Sequence, residues 1–226
     1  PEASPTPLAM NSTLRTLRWS LLLIAPLLLA EAVLAQGNWR QTVEIIVHIE
    51  RENEQNVTGI FLDSLVTYIE NDDIQVRRDR EDETTYTLTQ IEDDLSYEGL
   101  FLNSANRVFI TYKMEGNSRG FSSDIEEVFF IYRPDGEYAD VDIPVLYIDG
   151  ENPTLKRLLN TSGTNMRYNE AAFKPFRDQI AMHQLAKTSD AIIVRYGENG
   201  QYVIYEEDES ERERVRLVNV IRRFID

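Results

Sequence analysis

Thr42-Val43-Glu44-Ile45-Ile46-Val47-His48-Ile49-Glu50 sets Val43, Ile45, Val47 and Ile49 on one side of an extended chain and Glu44, Ile46, His48 and Glu50 on the other. A period of two built from β-branched residues marks a half-buried strand. Residues 84–91 repeat the period with Tyr86 and Leu88, and 107–114 repeat it with Val108, Ile110 and Tyr112. Residues 126–132 carry the continuous run Val128-Phe129-Phe130-Ile131, and a fifth strand, 141–148, follows the turn Arg133-Pro134-Asp135-Gly136. Pro134 presets φ and Gly136 accepts a positive φ, so the last two strands form a hairpin. Pro144 lacks a donor and predicts an edge position or a bulge.

Between the first two strands, residues 58–70 read both ways. Phe61, Leu65, Tyr68 and Ile69 share a helical face, whereas Val66-Thr67-Tyr68-Ile69 has strand composition. A sandwich would require the strand reading. Gly59-Ile60-Phe61-Leu62-Asp63-Ser64 is partly echoed by Gly99-Leu100-Phe101-Leu102-Asn103-Ser104, and the expectation is two similar turns entering strands, since two copies do not make a repeat.

After Gly150 the period changes. Asn152 as cap, Pro153 at the first helical position and Leu155, Leu158 and Leu159 on one stripe predict a short helix. A longer one is expected through Phe176, Ile180 and Ala186, begun or kinked by Pro175. Residues 191–196 and 201–205 form a hairpin around Gly197-Glu198-Asn199-Gly200. Ser210 and Glu213 have capping-box spacing for a final helix, whose stripe is Val215, Leu217, Val218, Ile221, Phe224 and Ile225. From residue 170 onward the order helix, strand, strand, helix resembles, in topology alone, the C-terminal part of thioredoxin-like folds; that family's Cys-x-x-Cys pair is lacking. The fold class expected is α+β: a mainly antiparallel, strand-rich region over 36–149, sandwich-like if 58–70 is strand, then a smaller helix, hairpin and helix region over 150–226.

Residues 1–9 read as upstream of the protein proper. Residues 10–35 read as a signal peptide, with Arg15 and Arg18 in a basic opening, an apolar stretch from Leu21 to Ala30, and Val33-Leu34-Ala35 at the cleavage site. The apolar run is about half the ~20 residues a bilayer requires, so cleavage leaves no transmembrane span. The chain has no cysteine, which excludes disulfides and thiolate chemistry and suits a bacterial periplasmic or secreted protein.

A net charge of −16 argues against nucleic acid, whose phosphates it would repel. Arg77, Arg78 and Arg80 lie among six acids and read as a solvated mixed-charge loop rather than an anion site. His48 beside Glu44 and Glu50 has the composition of a metal set but reads as an exposed histidine, and His183 as a packed one. Asp135, Glu137, Asp140 and Asp142 offer hard oxygens suited to calcium without EF-hand spacing. Divergent carboxylates are the expectation there, calcium the alternative, and no other cofactor is indicated.

Tyr132, Tyr138, Tyr147, Tyr196, Tyr202 and Tyr205 fall on or beside strands, where tyrosine serves cross-strand pairing or a binding face. No nucleophile elbow, phosphate loop or dinucleotide fingerprint is present. The reading is an exported, non-catalytic binding or assembly protein with a protein or carbohydrate partner outside the cytoplasm. The alternative is an extracellular hydrolase or metal-dependent enzyme that acts on a polymer through carboxylates.

Overall fold

The alternation around Glu44 persists in the computed structural model, which describes residues 39–49, 57–136, 141–166, 169–196, 201–205 and 207–225. The leader expected at 10–35 and the upstream residues 1–9 lie outside the described residues. In chain order the strands are β1 (Trp39–His48), β2 (Arg107–Asn117), β3 (Gly120–Tyr132), β4 (Ile143–Asp149), β5 (Gly163–Met166), β6 (Asn169–Pro175), β7 (Ser189–Tyr196) and β8 (Gln201–Tyr205). Six of them form one sheet in the order β4-β3-β2-β1-β7-β8, antiparallel at every pairing, while β5 and β6 make a separate hairpin. The fold is α+β. Because β7 pairs with β1, strands on both sides of Gly150 share one sheet within the unit Trp39–Asp226.

Helices cover one face of that sheet. They are α1 (Val57–Asp72), α2 (Leu88–Tyr97), α3 (Pro153–Thr161), the short α4 (Phe176–Gln179) and α5 (Met182–Leu185), and α6 (Glu207–Ile225). Val43, Ile45, Val108, Ile110, Val128 and Phe130 meet Phe61, Leu65, Ile91, Leu155, Leu158, Phe176 and Leu217 in the main core. Phe61 packs on Phe130 and Phe176 at centroid distances of 6.2 and 5.4 Å. Each fully buried ring of this kind contributes about 1.5–3 kcal/mol of transfer free energy.

Residues 57–72 are helix, which removes the sandwich: Phe61, Leu62, Leu65 and Ile69 recur at helical spacing and are all buried. Residues 84–91 were expected as strand. Instead, only Tyr86 bridges, to Val76, and Thr87 then caps α2 in a capping box with Gln90. The Thr-x-x-Gln spacing before Leu88, Ile91 and Leu95 is the helix signal that outweighs two alternating apolar residues. Gly59 to Ser64 lie inside α1, whereas Gly99 to Ser104 form a loop and a single helical turn, so the echo has no structural counterpart.

The long helix expected through Ala186 is replaced by β6, which runs to Pro175, and by two short helices separated at Ile180 and Ala181. Asn152 caps α3 as expected, accepting from the Thr154 N–H at 2.9 Å. The last helix begins earlier than the Ser210 spacing suggested. Glu213 is buried toward the sheet, where its carboxylate holds Arg216 at 2.7 and 2.8 Å, and Arg216 also reaches Gln41. Leu217 and Ile221 are buried one and two turns on, while Val215 is half exposed. Pro144 occupies both situations its chemistry allows, on the edge strand β4 and at a register shift opposite Ile131.

The opposite face is covered by a loop. Ile46, Phe109, Phe129, Ile131 and Tyr147 form a second, smaller apolar cluster there, with Ala191 and Ile193 against it. Arg77 lies 4.0 Å over the Tyr147 ring, and its carbonyl accepts from the Tyr147 N–H, guarding the β4 edge. The Arg80 guanidinium lies 4.9 Å over Phe129 and 5.6 Å over Phe109. Its Nη2 meets Glu44 at 2.9 Å and Glu127 at 3.3 Å. Burial disfavours the Arg80 charge, but Glu44 and Glu127 more than offset it, and its pKa is raised. Thr111 Oγ1 sits 3.1 Å from Glu44 and 2.9 Å from Glu127. A hydroxyl has one proton, so Thr111 donates to one carboxylate at a time while Arg80 bridges both. Burial, then Glu127, pushes the Tyr147 phenol up to about 12.

Candidate functional site

A cleft forms because β3 is longer than β4. Gly150 ends the pairing by lying so close to β3 that a Cβ there would stand 1.9 Å from the Ile125 carbonyl oxygen. The chain then turns into α3, and a space of about 360 Å³ opens between β3, α3, the α4–α5 joint and α6.

Its floor is apolar, with Tyr112, Leu159, Met182 and Ile221 buried at the base and Phe121 and Ile125 on the β3 wall. Its rim is polar. Lys156 and Asn160 come from α3, Arg177 and Asp178 from α4, and His183 from α5. The Tyr112 hydroxyl donates to the Ile180 carbonyl, which ties the joint between the two short helices to the sheet. Lys156 is paired with Glu151 at 2.5 Å. Arg177, by contrast, is exposed and makes no hydrogen bond or ion pair among the described residues.

Burial and the neighbouring Lys187 and Lys174 depress the His183 pKa, against a smaller opposing effect from Asp178. The local charge has that sign because residues 174–187 carry Lys174, Arg177 and Lys187 against Asp178 alone. An apolar floor beneath a few convergent polar groups is the usual make-up of a binding site.

The residues singled out from sequence are distributed elsewhere. Asp142 is held by Arg133 through two bonds, Nε to Oδ1 at 2.7 Å and Nη2 to Oδ2 at 3.0 Å. Asp135 is exposed, and Glu137 and Asp140 lie outside the described residues. No group of three or more metal-ligating side chains converges among the described residues. His48 accepts at Nδ1 from Arg107, which also pairs with Asp190 at 2.8 Å, while Glu44 points into the Arg80 network instead.

Arg77, Arg78 and Arg80 are folded back rather than solvated. Arg78 is bonded twice to Glu98 and once to the Pro144 carbonyl. Of the tyrosines, Tyr147 is buried and Tyr132 packs against the core; Tyr196, Tyr202 and Tyr205 fall on β7 and β8, and Tyr138 lies outside the described residues. The rim groups Lys156, Asn160 and Arg177 escaped sequence reasoning. For Arg177 the signal was available in the local excess of Lys and Arg over 174–187 within an acidic chain.

Among the described residues no helix is long and apolar enough to cross a membrane. No family model matches the sequence, and no curated protein matches it.

Proposed function

We propose that the protein is an extracytoplasmic, non-catalytic binding or assembly component of the cell envelope or extracellular space, engaging a protein or carbohydrate partner at the cleft beside β3. The observation that carries this reading is the cleft itself, whose apolar floor under a polar rim suits capture of a ligand group. Export rests on the leader at 10–35, and the net charge of −16 favours a partner other than nucleic acid or an anionic membrane.

The test is a photo-crosslinking residue at Asn160, on the rim, compared with one at Glu70, on the exposed side of α1. In cells that make the protein, the rim position gives a discrete adduct in the extracytoplasmic fraction and the control position does not. Retention of the protein in the cytoplasm with its leader uncleaved, or identical labelling from both positions, overturns the reading.

A further inference from the structure

β4 covers β3 only from Tyr132 back to Glu127, and one further bond, from the Gly150 N–H to the Glu126 carbonyl at 2.9 Å, closes the covered part. Gly120 to Ile125 therefore have β2 on one side and the cleft on the other. The hairpin fixes which backbone groups point to the cleft. Asn117 and Gly120 face each other across the two-residue connection Ser118-Arg119, as the hydrogen-bonded pair that closes such a turn. Alternation along the ladder then commits the backbone groups of Ser122 and Asp124 to β2 and turns those of Phe121, Ser123 and Ile125 outward, the Ile125 carbonyl lying against Gly150 and those of Phe121 and Ser123 open. None of these outward groups bonds to another described part of the chain. A row of donors and acceptors at strand spacing, over roughly 17 Å for the five residues Gly120 to Asp124, is complementary to another strand.

Charge gives the vacant position two different faces. On the cleft side are the apolar floor and a rim of mixed charge, Arg177 with Asp178 and Lys156 paired to Glu151. On the other side Asp124 and Glu126 are exposed. An added strand is therefore favoured with apolar side chains toward the cleft and basic ones opposite the two acids, while a shift by one residue would set its cations over the apolar floor and its apolar side chains beside the acids. The field of the acidic chain draws a basic segment toward it in either case.

We infer that Gly120 to Asp124 of β3 receive an extended segment of a partner protein, alternating apolar and basic residues, as an added strand antiparallel to β3 in line with β4. This rests on the binding reading above and narrows its partner to a peptide strand. A second copy of this chain is the less fitting occupant, because two molecules of charge −16 repel.

The test uses a fluorescent, end-blocked hexapeptide of alternating lysine and valine, followed by anisotropy, with the glutamate-for-lysine peptide and a peptide N-methylated at alternate positions as comparisons. Saturable binding of the lysine peptide is expected, with at least tenfold weaker binding to Ser123→Pro, to Asp124→Lys, and of the N-methylated peptide to the wild type. Proline is tolerated at a strand edge where its missing N–H faced solvent, so Ser123→Pro retains its melting temperature. If that variant does not fold, the N-methylated peptide removes the same bonds from the ligand side. Equal affinity for Ser123→Pro or for the N-methylated peptide, equal binding of the glutamate peptide, or no binding of the lysine peptide overturns the inference. So does a dimer, seen without peptide, that Ser123→Pro dissociates. A rim adduct at residue 160 that survives in Ser123→Pro removes strand addition while leaving the binding reading intact; loss of specific adducts in the wild type removes both.

Discussion

Phe129 and Phe130 are neighbours in one strand and are buried by different means. Phe130 points into the helix layer, where Phe61 and the other apolar side chains of the main core close around it. Phe129 points to the opposite face and is roofed by the Arg80 guanidinium, itself held by Glu44 and Glu127. The first solution excludes water by interlocking shapes. The second uses a flat cation whose weak hydration lets it lie on aromatic rings while its edge bonds carboxylates. A sheet can thus be covered on both faces by a chain with helices for only one, provided that the second covering brings acceptors for its own charges.

Phe130→Ala tests the first solution and has the largest expected effect, a loss of about 3–5 kcal/mol in chemical denaturation, because a fully enclosed cavity cannot collapse. Phe129→Ala should cost at least ~1 kcal/mol less, since a loop can settle where a helix layer cannot. Equal losses would mean that the loop is as rigid as the helices. Arg80→Met tests the second solution by leaving Glu44 and Glu127 side by side. A loss of about 2–3 kcal/mol is expected, toward the low end for a buried pair because Arg80 is 28% exposed. Adding Glu44→Gln should restore more than half of that loss, and no recovery would show that the guanidinium acts by packing alone.

Thr87 stands where the covering segment ends and the helix layer resumes. Thr87→Ala should cost about 1 kcal/mol through loss of the α2 cap, read as a lower denaturation midpoint with unchanged slope. The smallest effect concerns His183 at the rim of the helix face. Its folded pKa is depressed below the ordinary 6.5, so protonation favours the unfolded chain. The stability associated with neutral His183 is therefore complete above that value and falls as the pH drops through and below it. His183→Gln should flatten the wild type's decline in this window, and superimposable stability profiles would show that His183 is indifferent to folding.

The helix-covered face was largely legible. Alternation located β1 and β2, Pro134 and Gly136 located the β3–β4 hairpin, and Asn152-Pro153 located α3, because each signal is complete within a few residues. The other face also left a mark. Runs such as Ile45-Ile46-Val47 and Val128-Phe129-Phe130-Ile131 lack a polar face, which implies cover on both sides.

What covers that second face was not legible, because Arg80 and its acceptor Glu44 are 36 residues apart and meet only through the folding of α1 and its following loop. The cleft was hidden for a similar reason. It depends on β4 stopping at Asp149 while β3 runs on to Gly120, a mismatch of lengths and not of residue types. The β5–β6 hairpin was missed because apolar residues from Phe173 to Ala186 satisfy a helical period until Pro175 and the Ile180–Ala181 break interrupt it.

The position of β1 between β2 and β7 bears on the order in which the molecule assembles. One flank of β1 can be filled as soon as β2 exists. The other waits for a strand that begins at Ser189, well over a hundred positions later in synthesis. During that interval Thr42 to Val47 form an open, β-branched border able to pair with any extended chain nearby. Closure of the β1–β7 seam is thus a slow, non-local step, and a chain truncated after Gly150 should accumulate as aggregates while the full-length chain refolds in dilute solution.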